Sequence, residues 1–146
     1  MVIDDSFEID APLERIWPVL LDIPRVAACI PGATITEKID DRTYRAQVGV
    51  KAGPVSVKYR ATVVVDSIDE ATHTIAMHVH GEESKGRGGV RASVSSRAEA
   101  RDGKTHVDLH TDAQISGIIA SVGGRLIEGV AKKTVAEFAK NLQALV

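Results

Sequence analysis

The C-terminal stretch 121–146 carries apolar residues at Val122, Leu126, Val130, Val135, Phe138, Leu142 and Leu145, spaced by three to five positions. Arg125, Glu128, Lys132, Lys133, Glu137, Lys140 and Asn141 fill most of the positions between them. This is the 3.6-residue period of one amphipathic helix of about six or seven turns. Its apolar face requires a partner surface. Before it, only the stretch from Pro12 to Ala28 has a helical period, with Leu13, Ile16, Trp17, Leu20 and Leu21 on one face. Asp10 is placed to cap that helix, Pro12 suits its first turn, and Pro18 bends or shortens it. Asp22-Ile23-Pro24 opens a second short helix, Pro24 to Ala28, which ends at Cys29-Ile30-Pro31-Gly32.

The remaining chain has a period of two. Ile3, Phe7 and Ile9 mark a first strand from Val2 to Ile9. From Ala33 to Ile115, Tyr44, Ala46, Val48, Val50 and Ala52 alternate with polar residues. Val55, Val57, Tyr59, Ala61, Val63 and Val65 do the same, followed by Ile75, Met77 and Val79. Val90, Ala92, Val94, Ser96, Ala98 and Ala100 follow, then Thr105, Val107, Leu109, Thr111, Ala113 and Ile115. Gly53-Pro54, Asp69-Glu70-Ala71, the stretch Gly81 to Gly89, and Asp102-Gly103 separate these runs as turns. One apolar and one polar face is the signature of an antiparallel sheet solvated on one side. The expected architecture is α+β: a seven-stranded antiparallel sheet curved around the long C-terminal helix, with two short helices between strands 1 and 2. That is a helix-grip arrangement.

At 146 residues, without repeats or linkers, the chain reads as one domain, 1–146. A net charge of -2 suggests neither nucleic acid nor an anionic membrane as partner. Cys29 is the only cysteine, so no intrachain disulfide forms and a reducing compartment is natural. No basic segment followed by an apolar run opens the chain, and no stretch approaches the ~20 apolar residues that span a bilayer. A cytoplasmic location is the expectation. Aromatic residues make up only 3% of the chain, which leaves core volume to be filled by something else.

Strand parity allows a search for catalytic groups on the inward face. Its polar members are Tyr44, Tyr59, Ser96, Thr105 and Thr111, and the alternation places no His, Asp, Glu, Lys or Cys there. General acid-base work needs a titratable group within reach of substrate, and a nucleophile needs an adjacent base. The expectation is therefore no catalytic residue. Tyr59 is either a core tyrosine satisfied locally or a donor to a ligand oxygen. The small inward residues Ala92, Ser96, Ala98, Ala100 and Ala113 leave little volume opposite the helix. Either the helix approaches the sheet closely, which Gly123, Gly124 and Gly129 would permit, or a pocket remains. The scarcity of aromatic rings favours the pocket. Its expected lining is Val50, Val57, Tyr59, Val63, Met77, Val94 and Val107 from the sheet with Leu126, Val130 and Phe138 from the helix. It suits a flat or chain-like apolar ligand with one or two polar atoms.

Other groupings carry less. His106-x-Asp108-x-His110-x-Asp112 puts neighbouring side chains about 7 Å apart on an exposed strand face, and His78-x-His80 is similar. Without a second shell these read as solvated surface rather than a metal site. Lys85-Gly86-Arg87-Gly88-Gly89 lacks the ending of a phosphate loop and reads as a hairpin or bulge. Cys29 reads as a small buried hydrophobe, and Trp17 as a helix-to-sheet packing residue.

Several segments together resemble the CoxG-like family, the G-subunit family of carbon monoxide dehydrogenase. They are Phe7-x-Ile9-x-Ala11-Pro12 with Ile16-Trp17-Pro18-Val19-Leu20, and Val26-Ala27-Ala28-Cys29-Ile30-Pro31-Gly32-Ala33. Val50-Lys51-Ala52-Gly53-Pro54-Val55, the glycines from Gly86 to Gly89, and Ser116-Gly117-x-x-Ala120-x-x-Gly123-x-Arg125-Leu126 complete the match with Phe138. The opening Ala-Pro-x-x-x-Ile-Trp is shared with the wider START-like, polyketide-cyclase-like (SRPBCC) superfamily. The resemblance implies a START-like fold and a non-catalytic accessory protein. It implies a molybdenum hydroxylase of the carbon monoxide dehydrogenase type as partner, a quinone or lipid in the cavity, and no other cofactor. Membrane-attaching members carry a C-terminal extension, whereas this chain stops at Val146, so membrane association is expected to be at most peripheral.

Overall fold

The computed structural model describes all residues 1–146. Strand β1 (Val2–Ile9) leads into helices α1 (Leu13–Leu20) and α2 (Ile23–Ala28). Strands β2 (Ala33–Asp40), β3 (Thr43–Ala52), β4 (Val55–Asp69), β5 (Thr74–Glu83), β6 (Gly89–Arg101) and β7 (Lys104–Ile115) follow. A short 3-10 segment, Ile118–Val122, precedes helix α3 (Gly124–Leu145). The seven strands form one antiparallel sheet in the order β1-β7-β6-β5-β4-β3-β2. From β1 on one edge, α1 and α2 carry the chain to β2 on the other edge. Hairpins then bring it back, strand by strand, until β7 pairs with β1. Register shifts in β2 and between Val65 and Ser67 of β4 bend the strands, so the sheet curves around α3.

The helix-grip architecture is thus as the alternation predicts, with four local differences. First, Asp10 does not cap α1, whose N-cap is Pro12 without a side-chain hydrogen bond. The Asp10 backbone instead donates to Gln143 Oε1 (2.7 Å) and accepts from Gln143 Nε2 (3.4 Å), tying the end of β1 to the last turn of α3. Second, α2 begins one residue early, at Ile23, because the Asp22 side chain accepts from the Arg25 N–H and fixes its start. Third, the C-terminal helix is interrupted. Gly123, at φ +92°, separates the 3-10 segment from α3. Fourth, β5 does not stop at Gly81. Gly81 takes an ordinary ladder position between Ala61 and Val90, and the strand runs on to Glu83 opposite Tyr59.

Close backbone approach occurs, but not at the helix glycines. A Cβ at Gly123 or Gly129 would meet nothing within 4 Å, and one at Gly124 would meet only the tip of Met1. The tightest site is where the β5–β6 loop lies on the chain leaving β7. A Cβ at Gly88 would run into Ser116 O, and one at Gly117 into Arg87 O. Both glycines also have positive φ. Backbone bonds from Ile118 N to Arg87 O and from Ser116 N to Gly89 O, each 2.9 Å, stitch the two loops together.

The core is divided. One apolar cluster lies under α1 and α2 and includes Ile9, Ile16, Trp17, Tyr44, Val65, Ile75, Val107 and Leu142. Trp17 packs there as expected, and its indole N–H donates to Glu70 at 2.6 Å. Cys29 is buried in the same cluster, and its carbonyl accepts from Asn141 of α3 at 2.9 Å. The second cluster, Ala52, Val57, Tyr59 and Ile119, sits at the opposite end under the 3-10 segment. Of the whole amphipathic face of α3, only Leu142 is buried, at 0% exposure, while Leu126 is 39% exposed. The C-terminal half of α3 is therefore held and the N-terminal half rests lightly. Leu142→Ala should cost about 3 kcal/mol of stability in denaturant titrations, as for other fully buried leucines, and Leu126→Ala less than about 1. Equal costs would mean that both halves are packed alike.

Candidate ligand-binding site

Between the two clusters, apolar residues on the concave face of the sheet are left partly uncovered. Cross-strand register aligns Tyr44, Val63, Val79, Ala92 and Ala113 in one row and Val65, Met77, Val94, Thr111 and Ile3 in the next. The outer members of these rows are mostly buried. In the middle, Val63, Val79, Ala92, Val94 and Thr111 are only half-buried, although they face α3. The helix packs along β1 on one flank, where Phe7 and Phe138 meet edge-to-face at 5.7 Å, and reaches β3 on the other. There Leu126 lies against the Gly53 turn, so close that a Cβ at Gly53 would sit 2.9 Å from its Cδ2. Solvent therefore reaches apolar side chains at the centre of the sheet.

The expected lining residues fall into three groups. Val50, Val57, Tyr59 and Val130 belong to the cluster under the 3-10 segment, which Leu126 adjoins through the Gly53 turn. Met77, Val107 and Phe138 belong to the α1 end, where Val107 is 1% exposed and has almost no surface left to offer. Val63 and Val94 lie between. Ile119 and Ala52, which complete the second cluster, were not among the expected residues. Ile119 follows Gly117 in a segment without a strand or helix period, so no pattern pointed to it.

The expectation that no titratable group faces inward is overturned. Asp5 shares the inward parity of Ile3, Phe7 and Ile9 and is half-buried, with its carboxylate accepting from the Ser6 N–H. More important is Glu83, 2% exposed, on the same face of β5 as Ile75, Met77 and Val79. Gly81, taken as the start of a turn, hid it, because the alternation continues through that glycine. The Glu83 carboxylate accepts from Arg87 Nε (2.8 Å), Arg87 Nη2 (3.3 Å) and the Arg87 backbone N–H (3.1 Å). These bonds hold its pKa well down, from 4.5 to about 2, against the opposing effect of burial. Tyr59, its cross-strand neighbour, is shifted the other way. Burial, and then the Glu83 charge, raises the phenol pKa. Burial likewise raises the Cys29 thiol, which suits the packing role expected of it.

On the outer face, His78 pairs with Asp66 (2.7 Å), His106 with Asp108 (3.1 Å) and His110 with Asp4, and no three ligating groups converge. Two open depressions lie on that face and at the sheet rim. One, of about 420 Å³, is lined by residues including His78, His80, Arg91 and Asp112; the other, of about 540 Å³, by residues including Arg60, Glu82 and Ser116. Both are polar and open to water, the opposite of what an apolar ligand needs.

Comparison with known proteins bears on the family and the fold. The model of the carbon monoxide dehydrogenase G-subunit family (CoxG) matches residues 6–146, and the chain belongs to that family. A conserved protein from Geobacillus kaustophilus is 27% identical, with a TM-score of 0.87 over 99% of this chain and 94% of that one. The Zhui aromatase/cyclase from a Streptomyces species (16% identity, TM-score 0.69, 99% and 92% covered) shares the fold. So does a START superfamily protein from Mycobacterium smegmatis (17% identity, TM-score 0.66, 99% and 96% covered). A search of curated proteins returns no match. The fold is START-like. No helix is long and apolar enough to cross a membrane.

Because the folded-state pKa of Glu83 lies below its unfolded value, its ionised form stabilises the fold above about pH 4.5, and that contribution is lost as pH falls towards 2. Glu83→Gln should therefore be less stable than the parent protein at pH 7, with the difference shrinking between pH 4.5 and 2. Denaturant midpoints measured across that range check this; a constant difference would contradict it.

Proposed function

We propose that this chain is a non-catalytic accessory protein that holds a hydrophobic small molecule, quinone-like or lipid-like, between α3 and the concave face of the sheet. The single observation that carries the reading is the half-buried apolar surface at the centre of the sheet, beneath a helix whose only buried residue is Leu142. An unfilled apolar interior is unfavourable in water, and an apolar guest relieves it. Membership of the CoxG family supports a molybdenum hydroxylase as the partner, with the bound molecule serving that enzyme. A cytoplasmic location, with membrane association at most peripheral, fits such a role.

The Zhui neighbour and the inward Glu83 favour a second reading, a cyclase or hydrolase. The electrostatics weigh against it. A general base works best with a pKa near the operating pH, and Glu83 at about 2 is a weak one. Tyr59, raised above its ordinary value, is a poor acid at neutral pH. An enzyme would show turnover that Tyr59→Phe abolishes.

Protein purified from its own host, examined by native mass spectrometry before and after lipid extraction, should carry an apolar molecule of one chemical class. Val94→Trp, which fills the centre of the groove, should reduce that occupancy about tenfold or more and leave the circular dichroism spectrum unchanged. Protein that carries nothing and binds no quinone or lipid at micromolar concentration would defeat the proposal.

A further inference from the structure

We propose that Tyr59 and the Glu83–Arg87 pair form a polar end to the groove that selects ligands ending in a neutral hydrogen-bond acceptor, such as a carbonyl oxygen, over ligands ending in a carboxylate. The inference rests on the ligand-binding reading above and deepens it. Tyr59 and Glu83 stand directly opposite each other in the β4–β5 register, on the inward face, at the end closed by Ile119. Tyr59 is 6% exposed, yet its hydroxyl is not sealed from water, because the only buried side-chain N or O atom without a partner is His106 Nδ1. No hydrogen bond contributes to the shift of its phenol, which comes from burial and the Glu83 charge alone. The hydroxyl therefore keeps its proton and is free to donate. A donor at the end of an apolar groove, without a protein partner, is where a ligand acceptor gains most.

The charge of Glu83 decides which acceptor. Its carboxylate is neutralised by Arg87, and the bonds between them leave the pair without net charge. A neutral carbonyl adds nothing to that balance. A ligand carboxylate would bury a negative charge that nothing compensates, because Arg87 is already committed to Glu83. Glu83 thus acts as a positioning and selecting residue rather than as a chemical participant. The site is also rigid. Arg87 lies in the loop that Gly88 and Gly117 clamp against the 3-10 segment, so the pair cannot swing aside without breaking that contact.

Fluorene, 9-fluorenone and fluorene-9-carboxylate test this, since they share one flat apolar body and differ in the polar group. Fluorescence titration of the full chain should give fluorenone bound at least about tenfold more tightly than the carboxylate. Tyr59→Phe should weaken fluorenone about five- to tenfold and leave fluorene unchanged. Glu83→Gln frees the Arg87 charge and should narrow or reverse the preference against the carboxylate, an effect that loss of packing would not produce. Thermal unfolding of each variant confirms that it is folded. Equal weakening of fluorene and fluorenone by Tyr59→Phe, or a carboxylate penalty unaltered by Glu83→Gln, would overturn the polar end while leaving the groove intact. If the unaltered protein binds none of the three, the ligand-binding reading falls, and this inference with it.

Discussion

A straight helix laid across a curved sheet can be packed at its ends or at its middle, but not everywhere, and this constraint organises the molecule. Helix α3, 22 residues long, extends for about 33 Å, while seven strands span about 29 Å from edge to edge. It is therefore long enough to bridge the sheet from flank to flank. Its C-terminal half is fixed by Leu142 and by side-chain bonds from Asn141 to the Cys29 carbonyl and from Gln143 to Asp10. Its N-terminal half follows the break at Gly123 and touches the β3–β4 turn through Leu126. What lies between is bridged rather than packed. The two apolar clusters are the abutments, and the half-buried valines of β4, β5 and β6 are the uncovered span.

That division also separates stability from binding. Residues at the α1 end, such as Val107 and Ile9, are sealed and serve the fold. The opposite end combines apolar walls with the only buried carboxylate, Glu83, held by an arginine from a loop pinned at two glycines. A buried ion pair is weak support for stability, since desolvation offsets much of the attraction. Its placement beside Tyr59, at the end closed by Ile119, is what the proposed discrimination among ligands calls for.

The architecture was legible because most strands are hairpin neighbours with one wet face, so a period of two survives along the sequence. The long helix was legible for the same kind of reason. One local feature hid a buried acid. Gly81 carries no side chain, so the alternation through Val79, Gly81 and Glu83 broke at the residue that concealed the buried acid. The helix glycines would have permitted a close approach to the sheet; backbone instead meets backbone most tightly at Gly88 and Gly117, where loop meets loop. Contacts between loops distant in sequence leave no periodic trace. The family was visible in short segments, but a ligand's place in the groove depends on which rows stay uncovered, and periodicity alone does not reveal that.

The central claim is that the middle of the concave face is open and apolar. A crystal structure determined under xenon pressure tests it most directly, because xenon occupies apolar voids without needing a polar contact. The account predicts xenon density between Val63, Val94 and the facing side of α3. A groove without xenon there, with α3 collapsed onto Val79 and Val94, would contradict it.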